Sequence, residues 1–327
     1  MDSSQSNVAI IGAGMAGLTC ALALGEQGFS VRVFDKGRGP GGRMAARRAE
    51  IAGETLSFDH GARYFAARSS EFAVQVAAWA DAGVIAPWLA AGADAWVGVP
   101  GMNGPLQHMS QQAEVSWGVR IERLERDSEY WVLFADGSTH YADIVIVAVP
   151  AEQAAGLLME VAPELGVIPA TIQSEPCWVL MAAFEKRLPI TGDCLNDQGD
   201  AVGWAARNSV KPSRTGKETW VIHGSAGWSR ANLEQSPEEA ASKLLAAFFS
   251  QTGLPFTQPL HLIAHRWRYA FPQVQSEMPA HWDPKSRIGI AGDYLVAPCV
   301  EGAWLSARAL ARMIAQENWR ESDCCMD

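Results

Sequence analysis

The chain has 327 residues, 48% of them hydrophobic and 19% charged, with a formal net charge of -10. That is enough chain for two domains with their own cores and an ordinary balance for a folded protein, and the acidity argues against general nucleic-acid binding, which needs clustered Lys and Arg. Six cysteines without the spacing of a zinc site or disulfide framework, and no apolar run of membrane-spanning length, predict reduced thiols, a cytoplasmic location and no membrane attachment.

The first element is the most informative. An apolar strand from Val8 breaks into Gly12-Ala13-Gly14-Met15-Ala16-Gly17, a helix follows to about Gln27, and a second strand, Ser30 to Phe34, ends at Asp35-Lys36. This is the pattern of a dinucleotide cradle. Gly12 allows the tight turn, Gly14 the approach of a pyrophosphate, and Gly17 close packing of helix on strand. The helix start directs N–H groups and a positive dipole end toward phosphates, and Asp35 can accept from ribose hydroxyls. Gly41-Gly42-Arg43 follows closely, adding two small residues and a cation beside the cradle.

Next comes Phe58-Asp59-His60-Gly61-Ala62-Arg63-Tyr64-Phe65, then an amphipathic helix over Ser69 to Ala82 with Phe72, Val76 and Trp79 on one face. Pro87 to Pro105 shows neither helical nor strand period and reads as a crossover. Apolar residues alternate over Glu114 to Leu124, and the run from Tyr130 to Pro150 turns at Asp136-Gly137, giving an antiparallel hairpin that leads into a buried strand, Ile144 to Val149. A short helix from Ala151 to Glu160 follows.

Beyond Pro163 the composition shifts to tryptophan-bearing strands, CWVLMAAFEK, AVGWAARN and TWVIHGSAGW, the last ending near Trp228. They predict a separate antiparallel sheet. Ser236-Pro237-Glu238-Glu239 is a capping box opening a helix to about Gln251, and Leu260 to Pro272 alternates as another strand. The stretch with Arg207, Lys211, Arg214 and Lys217 reads as a solvated loop, with phosphate binding as its alternative. Arg266 and Arg268 are further phosphate candidates. His261 and His265 are spaced for a metal only on a helix, and this stretch is strand, so no metal is expected. Finally Arg287 to Ile314 gives a strand, Gly292-Asp293, a loop, and a helix opening near Glu301-Gly302-Ala303. The adjoining Cys324 and Cys325 on the polar tail are assigned no chemistry.

The glycine cradle with its GGR extension, the DHGARYF run and the C-terminal Gly-Asp and helix resemble the flavin-containing amine oxidase superfamily. FDKGRGPGGRM, DHGARYF, WVIH and HRWRYAFP resemble its bacterial renalase-like branch, over nearly the whole chain. The resemblance implies an α/β fold: an FAD-binding Rossmann-like domain of the p-hydroxybenzoate hydroxylase type, with an inserted antiparallel-sheet substrate domain. The expected boundaries are 1–68, 104–160 and 285–327 for the first and 69–103 and 161–284 for the second, with the active site where they meet.

It also implies FAD as cofactor, held by Gly12, Ala13, Gly14, Met15, Ala16, Gly17, Asp35, Lys36, Gly42, Arg43, Gly61, Ala62, Arg63, Val119, Gly292, Asp293, Glu301, Gly302 and Ala303. In that resemblance Gly61 and Ala62 leave room for the ring, Val119 meets adenine through its backbone, Asp293 bonds a ribityl hydroxyl, and the last helix faces the pyrimidine edge. The implied activity is oxidation of dihydronicotinamide isomers of NAD(P) with oxygen as acceptor, in a monomer or weak homodimer.

There is a single cradle, so a nicotinamide would come and go as substrate. Its walls and polar contacts are expected from His223, Trp267, Tyr269, Arg63 and Tyr64, with Trp228 and Phe65 as further aromatic candidates. The competing readings are an amine oxidase or desaturase of the same fold, a flavin-holding sensor, and a flavin-free nicotinamide dehydrogenase. Six lysines, none in a motif that aligns with the lysine many amine oxidases place near the flavin, weigh against the first.

Overall fold

The computed structural model describes residues 6–196 and 199–324, with side chains to 317; Cys325 lies outside the described residues, as does the Cys324 side chain. The chain divides into two compact units, residues 1–42, 106–173 and 272–327, and residues 43–105 and 174–271. Among the described residues no helix is long and apolar enough to cross a membrane.

In the first unit the two strands with buried apolar runs, residues 8–11 and 144–147, lie side by side at the centre of a sheet, because a strand apolar on both faces must be covered on both. Asn7–Ile11 pairs in parallel with Ile144–Val147, Val8 opposite Ile144 and Ile11 opposite Val147. Ser30–Asp35 and Glu114–Trp117 extend the sheet in parallel on one side; Ile288–Ile290 and then His281–Asp283 extend it on the other, the last antiparallel. Helix Met15–Gly25 packs against the long C-terminal helix Val300–Cys324. A three-stranded antiparallel sheet, Ile121–Arg126, Trp131–Ala135 and Ser138–Ala142, and the helices Ala151–Leu158 and Pro163–Ala170 complete the unit. Phe34, Trp131, Val145, Ile290 and Tyr294 share its core.

The alternating run over Glu114 to Leu124 is not one strand. Gly118 takes φ +75°, so Glu114–Trp117 stays in the parallel sheet while Ile121–Arg126 turns into the antiparallel one. Alternation is the same for both, and only the glycine's left-handed backbone separates them.

The second unit is built on a five-stranded sheet, in the order Cys194–Asn196, Val202–Arg207, Glu218–Gly224, Ser174–Phe184, His261–Pro272. Helix Pro237–Thr252 covers it with Ala240, Leu244, Leu245 and Phe248. Both bonds of the Ser236/Glu239 capping box form, and Gly253 ends the helix at φ +68°. Helix Ser70–Asp81 is capped by the Ser69 hydroxyl and buries Phe72, Val76 and Trp79.

Three expectations are corrected here. Trp228 lies on a short helix, Ala226–Ala231, whose cap Ser225 breaks the strand two residues after His223. Phe65 is buried edge-on against Phe72 and Trp79, so it is core. Lys211 and Arg214 are buried and Arg207 is fully so, which rules out the solvated loop.

Candidate functional site

In the first unit the cradle is shaped by what a side chain would strike. Gly12 takes φ +105°, and a Cβ there would stand 2.6 Å from the Ala148 carbonyl oxygen. A Cβ on Gly17 would come within 1.8 Å of the Gly12 oxygen. At Gly14 nothing lies within 4 Å, so the backbone presents an open face there. Ala13, Met15 and Ala16 are buried beside it, and the first helical bond runs from Leu18 N–H to the Gly14 oxygen. The N–H groups of Met15, Ala16 and Gly17 therefore head the helix, as a phosphate requires.

Asp35 braces this turn. Its carboxylate accepts from Ala13 N–H at 2.6 Å and from Gly37 N–H at 2.6 Å, and its carbonyl accepts from Val119 N–H at 2.9 Å. Asp35 and Val119 are thus brought together, with the Val119 N–H already committed to the strand end. Gly42 takes φ +49°, with a hypothetical Cβ 3.7 Å from the Gly14 Cα. Lys36 points outward to Gln153.

At the C-terminal end, the Gly292 N–H donates to the Ser306 hydroxyl at 2.9 Å, and a Cβ on Gly292 would run into the Tyr294 ring at 2.3 Å. Asp293, Glu301 and Ala303 are buried. A Cβ on Gly302 would meet the Ala297 oxygen at 2.1 Å, while its N–H donates to the Cys299 sulfur at 3.4 Å. Cys299 thus caps a helix start, a role that one unpaired cysteine gives no means of anticipating.

In the second unit the DHGARYF run is held by a buried ion cluster. Asp59 is fully buried and accepts from Arg214 at 2.6 Å, from Lys211 Nζ at 3.1 Å and from Met102 N–H at 2.9 Å. Burial alone would raise its pKa, but Lys211, Arg214 and the Met102 N–H together hold the carboxyl below its usual range. Lys211 also donates to the Arg63 carbonyl at 3.1 Å, and Arg214 to the Gly98 carbonyl. Arg207 is bridged to Asp193 and Glu218. None of these cations is left for a substrate phosphate.

Gly61 is required by the close passage of the chain: its Cβ would fall 2.2 Å from the Arg43 carbonyl oxygen, which accepts from Ala62 N–H at 2.7 Å. Arg43 therefore sits against Gly61 and Ala62 through its backbone.

Two aromatic groupings complete the picture. Trp267 donates from its indole to the His60 carbonyl at 2.7 Å and stacks on the His60 ring at 5.5 Å, with His265 edge-on to both. Burial, reinforced by His265 and Arg47, pushes His60 down to about 4. His223 is buried, its Nδ1 3.7 Å from the Cys177 sulfur and its ring edge-on to Trp204 at 5.0 Å. Burial, then Arg63, Lys211 and His60, hold it well below the usual histidine range, so it is neutral at pH 7. The Arg63 guanidinium lies 5.3 Å from the Trp204 ring centroid and 6.0 Å from that of Phe271. Tyr64 is exposed near Trp88, and Tyr269 is half-buried.

Arg63 and His223 are thus brought together, whereas Arg266 and Arg268 alternate with Trp267 and Tyr269 along their strand and pair with Glu234. Strand alternation places them on the opposite face, so they do not serve a ligand lying against Trp267. Sequence reasoning missed Asp59, Trp204 and Cys177.

Comparison with known proteins gives the family and the fold. Residues 10–77 match the family of NAD(P)-binding Rossmann-like domains, and residues 87–315 match the family described as flavin containing amine oxidoreductase. A zeta-carotene-forming phytoene desaturase of Myxococcus xanthus is 46% identical over 48 residues, which is 15% of this chain and 9% of that protein. Among solved structures, a provisionally assigned protoporphyrinogen oxidase from Exiguobacterium sp. 255-15 superimposes with a TM-score of 0.76 at 12% identity, covering 96% of this chain and 99% of its own. A putrescine oxidase does so at 0.70 and 15%, covering 95% and 99%, and cyclohexylamine oxidase of Brevibacterium oxydans at 0.61 and 16%, covering 96% and 99%. With an open glycine cradle in place and a family match over more than two thirds of its length, this chain belongs to the flavin-containing amine oxidoreductases and is an FAD-dependent oxidoreductase.

Proposed function

We propose that this protein oxidises dihydronicotinamide isomers of NAD(P), those reduced at a ring carbon other than the one ordinary dehydrogenases use. A hydride leaves the ring, oxidised NAD(P) is released, and dioxygen with one proton becomes hydrogen peroxide. Bound FAD supplies the two-electron redox chemistry. The chain's own task is to hold and orient a flat donor, since regained aromaticity drives the hydride out and no strong base is needed.

The observation that carries this reading is the charge state of the cluster in the second unit. His60 and His223 are neutral at pH 7, Arg63 is cationic, and Asp59 is wholly engaged by Lys211, Arg214 and the Met102 N–H. Such a cluster suits a neutral ring on an anionic dinucleotide and repels an ammonium ion. Trp267 and Tyr269 provide flat surfaces for the ring.

The second reading is oxidation of an amine or desaturation of another small molecule. In its favour stand the putrescine and cyclohexylamine oxidases that share the fold, and the desaturase related over a short stretch. Against it, the buried Lys211 is taken up by Asp59 and the Arg63 carbonyl. Anaerobic mixing of the FAD-loaded protein with borohydride-reduced NAD(P) isomers distinguishes the two. Rapid bleaching of the flavin band with formation of NAD(P) is expected. Bleaching by primary amines alone would overturn the proposal.

A further inference from the structure

Two of the buried polar atoms that lack a hydrogen-bond partner among the described residues are Arg63 Nε and His223 Nε2. They belong to one neighbourhood. Both side chains pack on Trp204, one through its guanidinium and the other through its ring edge, and Arg63 is among the charges acting on His223. A buried donor without an acceptor is costly, so each such group in a native protein calls for a partner, whether an ordered water, an ion or a ligand.

The donors are of one kind. The guanidinium can only donate. Cys177 stays a thiol, because burial pushes it up to about 12, and its sulfur lies 3.7 Å from His223 Nδ1, 3.6 Å from the Trp178 carbonyl oxygen and 3.7 Å from that of Gly224. In the tautomer that carries its proton on Nε2, His223 accepts the Cys177 S–H at Nδ1 and offers a second donor. Among the described residues the ionisable side chains that bear on Arg63 are Cys177, Tyr64 and Cys194, a set without a carboxylate. The nearby Asp59 is already shared by Lys211 and Arg214, which leaves this neighbourhood with excess positive charge. Lys211, by holding the Arg63 carbonyl, fixes the backbone from which the guanidinium extends.

We propose that Arg63 Nε and His223 Nε2 form a subsite for an anionic oxygen group of the substrate, a carboxylate or a phosphate, backed by the indole of Trp204. This deepens the reading above by resting on the same cluster as a substrate site, and it names the charged group that site receives. An anion gains two charge-assisted or neutral donor bonds and offsets the Arg63 charge; a neutral amide gains the bonds alone, and an ammonium neither.

Calorimetric titration of the FAD-loaded protein with benzoate, phenyl phosphate, benzamide and benzylammonium tests this. One equivalent of benzoate or of phenyl phosphate should bind, at least tenfold more tightly than benzamide, and benzylammonium should not bind. The tighter anion identifies which oxygen group the site is shaped for. Arg63→Met should abolish the preference for anions over benzamide, and Arg63→Lys should restore part of it, with thermal melts showing that both variants fold. Binding of all four probes within threefold of one another, as a water-filled cleft would give, overturns the proposal. So does an Arg63→Met protein that folds and keeps the preference. Should that variant not fold, the discrimination among probes by the parent protein decides. The hydride-donor reading is judged separately by flavin bleaching, so either can fail while the other stands.

Discussion

Replacing Asp59 with Asn tests the ion cluster that holds the DHGARYF run. Asn keeps the volume and can still accept from Met102 N–H, but leaves Lys211 and Arg214 as cations whose side chains are 0% and 1% exposed. Breaking a buried pair by removing one partner costs about 3–5 kcal/mol. For a unit of this size each kcal/mol lowers Tm by roughly 2–4 °C, so a fall of roughly 6–20 °C is expected. Urea unfolding and thermal melts at one saturating FAD concentration measure it without a difference in ligand linkage. The double variant Asp59→Asn/Lys211→Met should recover part of the loss, because charges of both signs then go together. A single variant within about 1 kcal/mol of the parent, the value of an exposed pair, would refute the reasoning by showing that water reaches the cluster. The same carboxylate sets an acid limit. Its folded pKa lies below its unfolded one, so its contribution is complete above roughly pH 4 and is lost as pH falls through the folded value.

Two glycines separate folding from cofactor binding. Gly17→Ala should abolish both, since its Cβ meets the Gly12 oxygen at 1.8 Å, whereas Gly14→Ala, with nothing within 4 Å, should fold normally and bind FAD at least about tenfold more weakly, as fluorescence titration would show. Asp293→Ala should weaken FAD binding without unfolding the protein; an unchanged dissociation constant would count against a ribityl contact. His60 folds with its pKa lowered from 6.5 to about 4, so its share of stability is complete above pH 6.5 and declines by about 3 kcal/mol between those values, a loss that His60→Gln should remove from the pH–stability curve. His223→Ala should slow anaerobic flavin bleaching by the isomeric donor, and an unaltered rate would take it out of the site.

Much of the first unit was legible because its signals are local. The cradle glycines and the Asp136-Gly137 turn, like the Ser236 box in the second unit, each act within a few residues, where backbone sterics and capping bonds do not depend on distant chain. The apolar runs at Val8 and Ile144 announced central strands for the same reason. Trp228 was misplaced because the fall from strand to helix turns on one serine cap, and Phe65 because an aromatic residue looks the same whether it meets a helix or a ligand.

What the sequence by itself determined, then, is where the backbone must bend, where it must bring its amides close to a phosphate, and hence which cofactor class it serves. Only the tertiary structure decided which charges are neutralised. Asp59 and Lys211 stand 152 residues apart, and no local pattern tells a buried lysine from a solvated one. Nor does any spacing reveal that Arg63 Nε and His223 Nε2 are left without partners among the described residues while Arg207, Arg266 and Arg268 are paired. Burial and pairing are properties of distant segments packed together, and for ionisable groups they fix both protonation state and availability to a ligand.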